Sequence, residues 1–398
     1  MQLRIEKIDY EGNGVCHNNG KVLFVKGSLK DELVEAHLVK EGKRFSIYET
    51  DQVLKKSPLR KEATCPFFKS CGGCVFDIVS YSDSLALKKE MVEDLFRQQG
   101  IGNFDLEILS SPKHYGYRNK ISLKVQNGKF GYFKEDTHEF VPITNCLLAK
   151  VSIQNLLKDF SLLNIREGSI TIRANENDEL LLDIKTDELP RINENILLHH
   201  KIAGIRFNEK GVYNFPFFIE RIDHLLYKVH VESFFQVNID IAEKIALDIK
   251  KELSKEDIFY DLYCGVGYFS LKIASIVQQV VGIELNQKAI LNAIYNASLN
   301  HITNVSFHAG KVEDVLEKIP IEANKAIVDP PRSGLHKNVR RVLKEKKFEK
   351  LIYISCNPKT LARDLQDLLE VYEILYIKLY DMFPFTKHVE VLTVLKLK

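Results

Sequence analysis

Residues 258–272, Ile-Phe-Tyr-Asp-Leu-Tyr-Cys-Gly-Val-Gly-Tyr-Phe-Ser-Leu-Lys, constrain the fold of this 398-residue chain more than any other stretch. They read as an apolar strand, a turn through Gly265 and Gly267, and the start of an amphipathic helix. A second apolar run, Val280-Val281-Gly282-Ile283, ends on Glu284, 19 residues after Gly265, where a carboxylate can hold a ribose hydroxyl pair. The pattern implies a doubly wound α/β sheet with a nucleoside cofactor at its edge. The dinucleotide fingerprint needs a third glycine three positions after the second, and Ser270 stands there, so a pyrophosphate cradle is poorly supported. A glycine turn with a ribose acid suits S-adenosylmethionine, whose sulfonium and amino acid tail need no phosphate site. Strand, turn and helix also recur in doubly wound domains for packing reasons alone, so other motifs must decide.

Two later strand ends do so. Ala326-Ile327-Val328-Asp329-Pro330-Pro331-Arg332-Ser333-Gly334 is a buried run ending in an acid and two prolines that stiffen the loop. A rigid capping turn accounts for the prolines but not for the continuation into Arg332 and Gly334. Ile352-Tyr353-Ile354-Ser355-Cys356-Asn357-Pro358 ends a β-branched run at an Asn-Pro stop, which puts Cys356 in the loop where open α/β sheets place their chemistry. Glu390 follows 34 residues later. The pair reads as a thiol nucleophile and a carboxylate base. Without further context, Glu390 is equally an ordinary strand glutamate.

The set Phe234-Phe235-Gln236-Val237-Asn238, Asp261 to Gly267, Asp329-Pro330-Pro331-Arg332, Ser355-Cys356-Asn357-Pro358 and His388-Val389-Glu390 resembles the RNA 5-methyluridine methyltransferase family, in order and spacing, from about residue 230 to the C-terminus. The resemblance implies that Cys356 attacks carbon 6 of a uracil ring and Glu390 removes the carbon 5 proton. It also implies that Gln236, Tyr263, Gly265, Glu284 and Asp329 contact the cofactor, S-adenosylmethionine. Tyr268 and Lys311 depart from the family pattern, which puts local cofactor contacts in question. Phe235 and Tyr117 are candidates to stack on an extruded base, or else core residues.

Cys65, Cys71 and Cys74 form a Cys-x5-Cys-x2-Cys cluster, and Cys146 supplies a distant fourth thiol. Four thiolates suit zinc or an iron–sulfur cluster, and spacing does not choose between them. The resemblance does: relatives that act on ribosomal RNA carry a [4Fe-4S] cluster here, with a structural role expected. The spacing is not the Cys-x3-Cys-x2-Cys of radical enzymes. The chain opens Met-Gln-Leu-Arg-Ile-Glu without a signal-like apolar core and has no 18-residue apolar run, so a cytoplasmic protein with reduced thiols is expected. Cys16 and Cys264 are left as packing residues.

With 45% hydrophobic and 28% charged residues, the chain supports two or three cores. The expected organisation is multidomain α/β. Residues 1–58 read as a small OB-like β-barrel of about five strands, similar to the TRAM domain of the family. Residues 59–225 form an α+β region carrying the metal cysteines, in which 80–110 packs either locally or onto the next domain. Residues 226–398 form the Rossmann-like methyltransferase domain. Asp31 stands where relatives carry glycine, which puts that turn's geometry in question.

Net charge is only +2, so RNA affinity must come from local patches. Lys55 to Lys61, Tyr115 to Lys120 and Lys337 to Lys350 are candidates; the last reads better as a solvated helix face. The expected partner is RNA, 23S ribosomal RNA first and the tRNA T-loop as the alternative, with no membrane and no obligate protein partner evident. A non-catalytic RNA-binding factor is the third reading, and intact Cys356 and Glu390 argue against it. Cytosine methylation lacks the second cysteine in a Pro-Cys motif.

Overall fold

The computed structural model describes residues 1–134, 137–188, 192–320 and 322–398. Eight strands form the largest sheet: β1 Glu107–Leu109, β2 Ile258–Leu262, β3 Gln279–Glu284, β4 Val305–Ala309, β5 Lys325–Val328, β6 Lys350–Ser355, β7 Tyr372–Tyr380 and β8 Glu390–Leu397. Their spatial order is β4-β3-β2-β5-β6-β8-β7-β1. Strands β2 to β6 run parallel and β8 returns antiparallel to β6. The chain winds outward from β2 to β4, then resumes on the other side with β5, so strand order reverses between β2 and β5. That reversal opens the crevice in which doubly wound sheets bind ligands.

Alternating residues explain why the strands read as continuous apolar runs. Phe259, Ile327, Ile352 and Ile354 enter one core, whereas Tyr260, Ala326, Val328, Leu351 and Tyr353 enter the core on the opposite face. Helices cover both faces, so both faces are built mainly of apolar residues.

Six strands of the first 55 residues form a separate sheet, ordered 2–4, 33–41, 45–55, 21–26, 14–18, 7–8. It encloses a small core of Leu3, Ile5, Cys16, Leu23, Val25, Val34 and Ala36. The strand beyond the expected five is the two-residue Lys7–Ile8. The turn at Asp31 keeps a glycine-like conformation, because Asp31 itself adopts φ +68°. Short polar side chains tolerate this region better than most. The next residue, Glu32, is fully buried and accepts from Leu29 N at 2.8 Å and Arg60 Nη2 at 2.9 Å.

Seven strands between Lys120 and Tyr213 build a third sheet, with the helix Val151–Lys158 among the elements that share its core. The 80–110 stretch belongs elsewhere. Its helix Tyr81–Gln98, capped by Ser80 accepting from Asp83 N, shares a core with Pro358–Leu368, and β1 pairs with β7 at the edge of the large sheet. The hairpin Phe217–Ile222 and Leu225–His230 is held against Gln287–Leu299 and its C-cap by Asn296 and Asn300, whose side-chain oxygens accept from Lys228 N and Leu226 N. Among the described residues no helix is long and apolar enough to cross a membrane.

Candidate active site

Register alone aligns the predicted residues along one sheet edge. Leu262 pairs with Ile283 and with Val328, so Tyr263, Glu284 and Asp329 sit level at the ends of β2, β3 and β5. Ser355 pairs with Val391 across an antiparallel ladder, which sets Cys356, just past β6, beside Glu390 at the start of β8. Residues scattered over more than 120 positions therefore converge.

Each strand end is fixed locally. After β2 the chain turns sharply, with Tyr263 N and Cys264 N both donating to Ile283 O. Tyr263 takes the left-handed conformation at φ +69°, a strained state for a bulky side chain. Gly265 follows at φ +54°, and a Cβ there would meet nothing within 4 Å, so the space above the turn is open. The Glu284 carboxylate accepts from Gly265 N at 3.3 Å and Asn286 N at 2.8 Å, tying the ribose-type acid to the glycine turn. Asp261, within β2, accepts from Ser270 Oγ at 2.5 Å; burial pushes its carboxyl up to about 6. Ser270, at the missing glycine position, is thus a structural partner.

Asn357 locks the cysteine loop. Its side chain caps Pro358–Leu368 by accepting from Lys359 N, with proline in the first turn, and its Nδ2 donates to Arg332 O at 2.9 Å. The Asp-Pro-Pro-Arg loop and the Ser-Cys-Asn-Pro loop are therefore one hydrogen-bonded unit. Arg332, which sequence reasoning quoted but gave no role, brings the cation: its Nη2 lies 2.8 Å from both ring nitrogens of His388. Burial and Arg332 together push His388 down to about 3, so the imidazole is neutral.

Four groups share this field. Burial, then the neighbouring Glu390 and Asp329, raise the Cys356 thiol to about 12, with Arg332 opposing. Glu390 is buried, and burial with Asp329 lifts it well above the usual carboxylate range, again against Arg332. Burial and Asp261 raise Asp329 to about 7. Burial and the two carboxyl groups thus disfavour the thiolate, and Arg332 is the positive charge favouring it.

The loop leading to Glu390 is hung from the 80–110 helix. Lys88, fully buried, donates to Asp381 Oδ1 at 2.6 Å and to the carbonyls of Phe383 and His388 at 2.9 Å each. Tyr81 Oη donates to Asp381 Oδ2 at 2.8 Å. Gln236 arrives from another element, its carbonyl accepting from Asn119 Nδ2 at 2.9 Å. Phe235 and Tyr117 are core residues, only 3% and 5% exposed, so neither is free to stack on a base; the exposed aromatic of that stretch is Phe234, at 72%. Tyr268 is likewise internal, donating to Glu243 Oε1 at 2.6 Å.

Cys65, Cys71, Cys74 and Cys146 approach one another as free thiols. Burial and then the other cysteines drive Cys74 well above its usual range, and burial followed by Cys146 and Cys65 raises Cys71. Cys65 N donates to Asp77 Oδ2 at 2.7 Å. Val75 N and Phe76 N, just past Cys74, both donate to Phe385 O, so the cysteine loop also braces the loop that leads to Glu390. Among the described residues, the group of three metal-type donors lying within 4.8 Å of one another is Asp159, His199 and His200; no three cysteine sulfurs come that close. Cys16 and Cys264 are buried packing residues.

The basic stretches are largely spoken for. On Lys337–Lys346, Arg340 pairs with Asp364 and Asp367, Arg341 with Glu345 and Glu317, and Lys344 with Glu370, which fits the solvated-face reading. Arg60 pairs with the buried Glu32.

A doubly wound sheet with a glycine turn, a strand-end acid and open space above the turn is the architecture of an S-adenosylmethionine-dependent methyltransferase. The family model for tRNA (uracil-5-)-methyltransferases matches residues 219–398. An RNA methyltransferase of Aquifex aeolicus is 34% identical over all of this chain and 99% of its own. One from Caldanaerobacter subterraneus subsp. tengcongensis is 31% identical over all of this chain and 98% of its own. In fold, the chain matches the Pyrococcus abyssi tRNA (uracil-54, C5)-methyltransferase in complex with S-adenosyl-L-homocysteine, at TM-score 0.80 and 24% identity over 99% of this chain and 100% of that one. The chain belongs to the RNA uracil-5 methyltransferase family and is an S-adenosylmethionine-dependent enzyme of that class.

Proposed function

We propose that this enzyme forms 5-methyluridine in 23S ribosomal RNA, with Cys356 as nucleophile and Glu390 as base. The observation that carries the chemistry is the β6–β8 register, which sets thiol and carboxylate side by side in the field of Arg332. Carbon 5 of uracil is too weak a nucleophile to take a methyl group unaided. Addition of the Cys356 thiolate to carbon 6 generates an enolate, and carbon 5 then forms the new carbon–carbon bond. Glu390 takes the carbon 5 proton, and expulsion of the thiolate restores the ring. S-adenosylmethionine, when bound, would supply the methyl group from its sulfonium, the S–CH3 bond breaking and S-adenosylhomocysteine leaving as the neutral thioether. Gln236, Tyr263, Gly265, Glu284 and Asp329 are the residues that would hold it, and the open space over Gly265 fits such a ligand.

The choice of 23S RNA rests on Cys65, Cys71, Cys74 and Cys146 as ligands of a [4Fe-4S] cluster. One feature supports a metal centre there: burial, then the neighbouring thiols, raise Cys71 and Cys74, and metal ligation would relieve that cost. The cluster's role is to brace the loop before Glu390 through Val75 and Phe76. A tRNA substrate is the second reading, favoured by the whole-length likeness to the Pyrococcus abyssi protein.

The test is to incubate the purified protein with labelled S-adenosylmethionine and, separately, unmodified 23S RNA and tRNA, then map 5-methyluridine by nuclease digestion and mass spectrometry. Label in 23S RNA alone is expected. Label in tRNA alone overturns the substrate and keeps the chemistry.

A further inference from the structure

The N-terminal sheet reaches the catalytic edge through one tight turn, residues 9–13. Asp9 closes it: its main-chain N donates to Asn13 O at 2.8 Å, its carbonyl accepts from Gly12 N at 3.0 Å, and its carboxylate accepts from Asn13 N at 2.8 Å. Gly12, at φ +81°, lets the turn lie against Val75, which a Cβ would approach to 3.0 Å. From the tip, Glu11 forms ion pairs with Lys359 at 2.6 Å and Lys387 at 3.0 Å. Lys359 lies three residues after Cys356, and Lys387 three before Glu390. One carboxylate on a remote sheet thus pins both loops that carry the chemistry. Burial opposes ionisation of Glu11, yet the two lysines hold it down to about 2, so the latch is charged throughout the working range.

Tyr10 stands beside this latch. Its ring packs against the core beneath the catalytic sheet and against the smaller core of Ile8, Leu29 and Phe76, with Lys359 Nζ 5.6 Å from the ring centre. Its hydroxyl is buried, within the electrostatic reach of Cys356, Arg332 and Glu390, and has no hydrogen-bond partner. Burying an unpaired hydroxyl is unfavourable, and phenylalanine would fill the same space without that cost. A lone buried donor on a ring that packs against the Lys359 end of the cysteine loop fits a ligand that completes it.

We infer that Tyr10 is a substrate-contacting residue: its hydroxyl donates a hydrogen bond to an acceptor oxygen of the target uridine, so the N-terminal sheet supplies one wall of the nucleotide pocket. The inference rests on the reading that the uridine enters beside Cys356. Glu11 is the positioning residue that sets Tyr10 there.

Tyr10→Phe in the full-length, metal-loaded protein tests it, on whichever RNA the wild type methylates. The expected result is a loss of about ten- to a hundredfold in kcat/KM for RNA. The dissociation constant for S-adenosylmethionine should stay within about twofold, and the melting temperature should hold or rise, as for removal of an unpaired polar group. Unchanged RNA turnover overturns the inference while leaving the uridine chemistry intact. A loss confined to cofactor affinity, or one matched by a fall in melting temperature, also overturns it. A wild type active on neither RNA refutes the underlying reading and this one with it.

Discussion

Cys356 and the group Cys65, Cys71, Cys74 and Cys146 are the same residue type, all partly buried, and burial raises the thiols of Cys356, Cys65, Cys71 and Cys74 alike. The neighbouring charges differ. Around Cys356 the opposing charges are carboxylates, Glu390 and Asp329, with an arginine built in to offset them. Around Cys74 they are mainly other thiols, and the cation within reach, Lys88, is already committed to Asp381. On the proposed assignment, a reactive thiol and a ligating thiol are separated less by burial than by what would relieve their charge: a fixed guanidinium in one case, an incoming metal centre in the other.

Substitutions can break or sharpen this contrast. Cys356→Ala should abolish methylation, by at least about 10⁴-fold, while S-adenosylmethionine still binds in a calorimeter; turnover by the pure variant would remove Cys356 from the mechanism. Glu390→Gln should slow turnover by roughly 10²- to 10⁴-fold and trap a protein–RNA adduct visible on denaturing gels. Full activity without adduct would assign the base elsewhere. Arg332→Met removes the built-in cation and pushes the thiol further up, so single-turnover methylation should fall about 10²-fold throughout pH 7 to 9, with the rise per pH unit unchanged. An unaltered rate would mean that Arg332 does not serve the thiol.

Cys74→Ser should leave Cys356 chemistry measurable but strip about four irons per chain from protein prepared without oxygen and lower the melting temperature by several degrees. Stoichiometric zinc in the wild type would overturn the cluster. The smallest effect belongs to Asp329. With its carboxyl raised to about 7, the native state keeps a proton that the unfolded chain releases near 4, so stability falls as pH rises across that window. Asp329→Asn should flatten that fall and raise the neutral-pH melting temperature by about 2–4 °C, although activity suffers.

The catalytic edge was legible because its parts are local. A β-branched run that stops at Asn-Pro, or an apolar run that stops at Asp-Pro-Pro, announces a strand end on its own, and the sheet's register does the rest. Tyr10 carried no such signal, being 346 residues from Cys356 and joined to it only by folding. Phe235 and Tyr117 stayed open between stacking and core for the converse reason: an aromatic beside a motif looks available until the core that absorbs it is seen. Lys88 was readable in hindsight, since it falls on the buried face of its helix with Ser84, Leu87, Met91 and Val92. A lysine on an apolar stripe asks for a buried acid, but sequence does not say that Asp381 answers, 293 positions away.

The Lys88–Asp381 pair also bears on modularity. The family model covers residues 219–398, yet that segment cut free would lose β1, an edge strand of its own sheet, and the helix Tyr81–Gln98, whose Lys88 ties down Asp381 and the loop before Glu390. The catalytic half is therefore not portable. Grafting a relative's front half onto it would re-hang the loop that leads to Glu390.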